Sequence, residues 1–171
     1  MDIDFNGFVI FDPLTVDFID PSATIGENLL EKYLMSDVGD LVLAGGAFVP
    51  VLAIDDGTYN IKVFCNEEVE RTKFDIVENH FYALRVESCA YIGDLDALMN
   101  WKNEVSGLVK LPLFSGVYAV SIIGYRICND YELLEAGYRI YFNQSSNLPE
   151  ISADIGLNMR VNYPFGDNRD E

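Results

Sequence analysis

The side chains in this chain best suited to chemistry are one histidine, three cysteines and two close pairs of aspartates. His80 stands in Glu78-Asn79-His80-Phe81, where it reads as a polar residue at a strand end. A Ser-His-Asp triad would have to use it, yet no serine sits in a GxSxG elbow. A zinc site of the usual type needs Cys and His at short fixed spacings. Cys65, Cys89 and Cys128 are far apart and form no CxxC pair. Asp55-Asp56-Gly57 has the composition of a hairpin turn. Asp94-x-Asp96 starts like a calcium loop, but Leu95 and Ala97-Leu98 turn it into a helix start. No phosphate-binding glycine loop of the GxxxxGK or GxGxxG type occurs. A glycosidase needs only two well-separated carboxylates, which sequence spacing does not specify. The reading is therefore a protein that is not an enzyme, with no catalytic residue, no metal and no cofactor.

What the chain does have is charge. Its formal net charge is −17, and the charge is uneven. Residues 1–61 hold 11 acidic side chains and a single base, Lys32. Residues 62–128 are nearly balanced, with 9 acids and 7 bases, and residues 129–171 return to 8 acids and 3 bases. Half of the residues are hydrophobic and 13% are aromatic, so the acidity belongs to a folded chain and not to a disordered one. Such a charge opposes binding to DNA, RNA or an anionic membrane, all of which select a basic footprint. It suits a basic protein instead. Asp2, Asp4, Asp12, Asp17 and Asp20 flank strand candidates or the turns that bound them, where rigid, exposed positions are expected. Carboxylates there, with Glu27, Asp55 and Asp56, would steer a cationic partner and pair with its Arg and Lys. A solvated acidic face without a partner is the plainer explanation of the same pattern.

The elements that must carry these residues are mostly strands. Phe8-Val9-Ile10-Phe11 is an apolar run stopped at Asp12-Pro13, and residues 14–19 read as a second strand. Ser22 is placed as the cap of a helix running to about Met35, with Ile25, Leu29, Leu30 and Tyr33 on one face and a break at Gly39-Asp40. Residues 41–44 and 48–54 read as buried strands, followed by the Asp55-Asp56-Gly57 turn and a strand over 59–65. Strands are also expected at 73–77, 81–87, 107–112, 116–127, 138–142 and 157–163. Asp94 is read as the N-cap of a short helix that ends near Trp101, the aromatic of a polar Asn100-Trp101-Lys102 setting. Trp101 then either covers the core or contacts a ligand. The fold class is mainly β: an antiparallel β-sandwich or barrel with two or three short helices, as one domain over 1–165 and a polar tail over 166–171.

Three scattered thiols point to a reducing compartment. The opening residues are acidic where a secretory signal is basic, and no apolar run approaches the ~18 residues of a membrane span. The expectation is a cytoplasmic bacterial protein.

One stretch carries a family cadence. Phe64 and Leu84-Arg85-Val86, a short acidic helix with Trp101, then Leu111-Pro112 and Gly116-Val117-Tyr118-Ala119-Val120 resemble small bacterial β-sandwich proteins of the competence nuclease-inhibitor and polymorphic-toxin immunity type. The match spans residues 60–127. It has an extra residue at Phe114-Ser115, and no site residue carries over. The resemblance implies an antiparallel fold and an inhibitor role. Three functions follow: an inhibitor or immunity protein that neutralises a basic toxin or nuclease, a small-ligand or carbohydrate-binding β-domain using aromatics such as Trp101, and an assembly subunit of a phage or secretion machine.

Overall fold

The computed structural model describes residues 1–162 apart from 103, 130 and 131. Two four-stranded sheets lie face to face. In the first, β2 (Phe8–Phe11) is central, flanked by β3 (Phe48–Val51) and by β7 (Tyr91–Asp94), with β8 (Val109–Lys110) at the edge. The second has the order β5 (Asn60–Cys65), β10 (Glu132–Ser145), β9 (Gly116–Asn129), β6 (Asp75–Val86). Every pairing is antiparallel except β5 with β10, which is parallel. Neither sheet closes into a barrel. A two-residue ladder joins β1 (Asp2–Ile3) to β4 (Gly57–Thr58).

All four residues of β2 are buried because both faces of its sheet are covered. Phe8 and Ile10 face the second sheet and share a core with Tyr118, Ile122, Tyr138 and Phe142. Val9 and Phe11 face the other way, into a smaller cluster with Leu29, Val42, Leu98 and Trp101. That cluster sits under four short helices: α1 (Pro13–Ile19), α2 (Leu29–Leu34), α3 (Val38–Ala44) and α4 (Asp96–Met99).

The helical layer departs most from the sequence reading. Residues 14–19 are a helix, not a strand. Asp12 caps it and Pro13 occupies its first turn, so Asp-Pro here starts a helix as well as ending a strand. The helix expected from Ser22 spans only Leu29–Leu34, capped by Asn28, whose Oδ1 accepts from Glu31 N at 3.1 Å. Residues 41–44 are helical too. Gly39 does not break a helix but lies within α3, where a Cβ would stand 2.0 Å from the Tyr33 carbonyl oxygen. Asp55-Asp56-Gly57 does not join paired neighbours, since β3 and β5 belong to different sheets. Residues 73–77 and 81–87 fall on one strand, β6, whose register shifts between Asn79 and Tyr82, with Phe81 at φ 65°. Asp94 closes β7, and α4 begins behind Leu95 without a side-chain cap. Residues 157–162 form no regular element, and the rest of that predicted strand, like the tail, lies outside the described residues.

Candidate interaction surface at the acidic end

Pairing of β1 with β4 brings the first residues of the chain onto the Asp55-Asp56-Gly57 turn. Tyr59 N donates to the Met1 carbonyl at 2.9 Å, and the Met1 amino group donates back to the Tyr59 carbonyl at 2.8 Å. Asp2 Oδ1 accepts from the Thr58 hydroxyl at 2.6 Å. The next turn is tied at three points. Asp4 N donates to Asp94 Oδ2 at 2.5 Å, Asn6 N to Asp56 Oδ1 at 3.1 Å, and Ile54 N to the Asn6 carbonyl at 3.0 Å. Asn6 takes φ 56°, a left-handed value that asparagine tolerates. Phe5 stands at the tip of this fixed turn, 45% exposed.

Asp2, Asp4 and Asp56 are therefore exposed beside one exposed aromatic, while Asp94, half-buried with its Oδ1 inside, holds the Asp4 N–H. Among the described residues, no Lys or Arg forms an ion pair with any of the four. Asp55 next to them is paired: Arg160 Nε lies 2.7 Å from its Oδ1. Burial and the neighbouring Asp55 push the Tyr59 hydroxyl up to about 12, and that hydroxyl donates to the Asp55 carbonyl. The backbone thus holds a negative turn rigidly with an apolar tip in it. The sequence signal for it is an aromatic inside Asp4-Phe5-Asn6-Gly7, whereas the aromatic in a polar setting that the sequence offers, Trp101, lies elsewhere. The sequence places Asp94 as a helix cap; its place opposite Phe8 in the sheet instead brings its Oδ2 to the Asp4 N–H, with its Oδ1 buried.

The other expected binding residues lie elsewhere, and three of them are not exposed. Asp12 is 1% exposed. Its Oδ1 accepts from Leu14 N at 3.0 Å, while Oδ2 accepts from Glu87 N at 2.8 Å and Ser88 N at 2.6 Å. It caps α1 and clamps that helix to the end of β6. Asp20 is 4% exposed and receives Lys32 Nζ at 2.7 Å, the Ser22 hydroxyl at 2.6 Å and the Tyr33 hydroxyl at 2.9 Å. Burial works against its charge, but these hydrogen bonds outweigh burial and hold its carboxyl below the usual range. Trp101 is 1% exposed, with its ring centroid 5.6 Å from that of Phe11. Its backbone pairs with the Gly26 N–H and the Glu27 carbonyl, which fastens the loop before α2 onto α4. It covers the core, and the carbohydrate reading loses its named aromatic. Asp17 and Glu27 are half-buried; burial and Asp20 raise the Tyr33 hydroxyl, the charges of Glu27 and Asp17 add to that, and Glu27 also lies 3.6 Å from Lys32.

The remaining reactive side chains are dispersed. His80 Nε2 is 2.9 Å from Glu78 Oε2, which also takes Arg71 at 2.7 Å, a surface network on β6. The cysteines are free and half-buried. Burial raises the Cys65 thiol, and Lys110 lowers that of Cys89. Among the described residues, no three His, Cys, Asp or Glu side chains gather as metal ligands, and no helix is long and apolar enough to cross a membrane.

No family model and no curated protein sequence matches the chain. Among solved structures, it is similar to ComJ of Bacillus subtilis, an inhibitor of the DNA degrading activity of NucA. The two share 12% identity over 84% of this chain and 92% of that one, with a TM-score of 0.48. At that distance partners and activities do not transfer from one chain to another.

Proposed function

We propose that this chain is a non-enzymatic inhibitor or immunity protein that binds a basic protein, a nuclease or another toxin, through its acidic end. The observation that carries this reading is the fixed turn at Phe5, with Asp2, Asp4 and Asp56 exposed beside it and Asp94 holding its backbone. Nucleases need basic clefts to hold phosphates, so a carboxylate surface of this kind competes for the same cleft. The carboxylates raise the encounter rate by roughly 10–1,000-fold at low salt. Phe5 supplies the desolvated anchor that slows dissociation, as aromatic side chains at interface centres do. The turn is already held by backbone hydrogen bonds, so little ordering is left to oppose binding.

The test uses wild type, Asp2→Asn/Asp4→Asn/Asp56→Asn and Phe5→Ala as baits in a lysate of the source cell at low salt. Any protein held by wild type is then purified, and its kinetics are measured against all three. The triple variant should associate at least about tenfold more slowly in low salt, and the gap should close near 1 M, where the Debye length is about 3 Å. Phe5→Ala should dissociate at least about tenfold faster at every salt concentration. A captured partner that is acidic, or one that binds all three baits alike, would sink the reading.

A further inference from the structure

A second surface lies on the helical layer and shares no residue with the Phe5 turn. Between α2, α3 and β3 is a pit of about 60 Å³, lined by Leu30, Leu34, Val42, Phe48 and Leu98 and by the ring of Tyr33. The one hydroxyl in that wall is engaged with Asp20. Beside the pit, on the far side of Leu43 and Ile155, runs an open trough of about 440 Å³ lined by Asp40, Ala44, Glu150 and Ile151. Leu43 and Ile155 line both, so the two adjoin, and together they are called the groove. Leu34, in the wall of the pit, is 63% exposed.

The groove has an apolar half and an acidic half. Asp40 and Glu150 are exposed, and among the described residues neither forms an ion pair. Lys32, the only base of residues 1–61, is spent on Asp20 and Glu27. The pit is far smaller than the ~300 Å³ at which small-molecule sites begin, and it suits one aliphatic side chain. A second copy of this chain, itself at −17, would bring like charge against the acidic half. We propose that the groove binds a cationic amphipathic segment of a protein partner, which puts one aliphatic side chain in the pit and its Lys or Arg side chains against Asp40 and Glu150. Helical peptides commonly dock by such anchors.

The test needs no native partner, so it stands apart from the one above. The probe is a 14-residue amidated peptide with Leu and Lys at helical spacing; the control has Glu for every Lys. Amide shifts of the full chain are followed by NMR at about 50 mM and 500 mM salt, conditions that separate screened from apolar contacts. The Lys peptide should shift residues 30–44 and 150–155, and the Glu peptide should not. Asp40→Lys/Glu150→Lys should weaken binding about tenfold or more at the lower salt. Ala44→Trp, at an exposed position, fills the trough and should weaken binding at both. Shifts confined to residues 2–6 and 55–58, equal binding of the Glu peptide, or variants that bind like wild type would each overturn the proposal. Self-association of wild type that Ala44→Trp abolishes would seat a second copy in the groove and would also overturn it.

Discussion

Aspartates at the two ends of β2 do opposite work. At its start, Asp4 and, across the Asn6 turn, Asp56 are exposed, and Asp56 accepts the Asn6 N–H while still facing water. After it, Asp12 is inside the protein with its oxygens engaged, and so is Asp20 at the far end of α1. Four strand residues, about 13 Å, separate the two settings. Net charge along a sequence is therefore not charge density on a surface. A carboxylate that ends a strand beside a helix start is drawn in by unpaired N–H groups, whereas one on a short edge ladder stays in water.

The contrast breaks first at Asp12. Replacing it by Ala leaves the N–H groups of Leu14, Glu87 and Ser88 without an acceptor and removes the cap of α1. The expected loss is about 3 kcal/mol or more in urea unfolding. A loss under ~1 kcal/mol would mean that Asp12 is an ordinary surface acid. Asp20→Asn comes next. It leaves Lys32 facing Glu27 alone and weakens the bonds from Ser22 and Tyr33. About 1–3 kcal/mol should be lost in the same assay.

Acid titration sharpens the difference. The folded-state carboxyl of Asp20 is depressed, and so is that of Asp75, where burial is outweighed by bonds from Thr72 and Arg139. A depressed group stabilises the fold above its unfolded value, about 3.9 for Asp, and the contribution disappears as pH falls through the folded value. Stability should therefore decline from pH 5 downward, and Asp20→Asn should flatten that decline. An unchanged slope in the variant would remove Asp20 from the acid-sensitive set. The smallest effect belongs to Asp2→Asn/Asp4→Asn/Asp56→Asn. Its stability should stay within about 0.5 kcal/mol of wild type, because exposed like charges repel and their hydrogen bonds are solvent-facing. A loss above ~2 kcal/mol would show these carboxylates to be structural, like Asp12.

Strands with strong alternation or unbroken apolar runs were legible: Phe8–Phe11, the core of β9 and β10, and β5. Of the helical layer, α4 and part of the expected 22–35 helix, α2, were legible, and α1 and α3 were not. Leu14, Val16 and Phe18 alternate as in a strand, but Val16 is buried while Leu14 and Phe18 are exposed, because the Asp12 cap and Pro13 start a helix. Asp2, Asp4 and Asp56 were legible as exposed acids. Their convergence with Asp94 was not, since Asp4 and Asp94 are 90 residues apart and meet only through the antiparallel pairing of β2 with β7.

By itself, the sequence determined the sign of the charge and a mainly β chain with a large apolar core, because composition and two-residue periodicity are local properties. Tertiary structure decided which carboxylates face water. Burial depends on what packs on the other side, and nothing near Asp12 in sequence reveals that the N–H groups of Glu87 and Ser88 arrive from β6 to take its charge inside. The same cause placed Trp101 against Phe11 in the interior and left Phe5 at the surface.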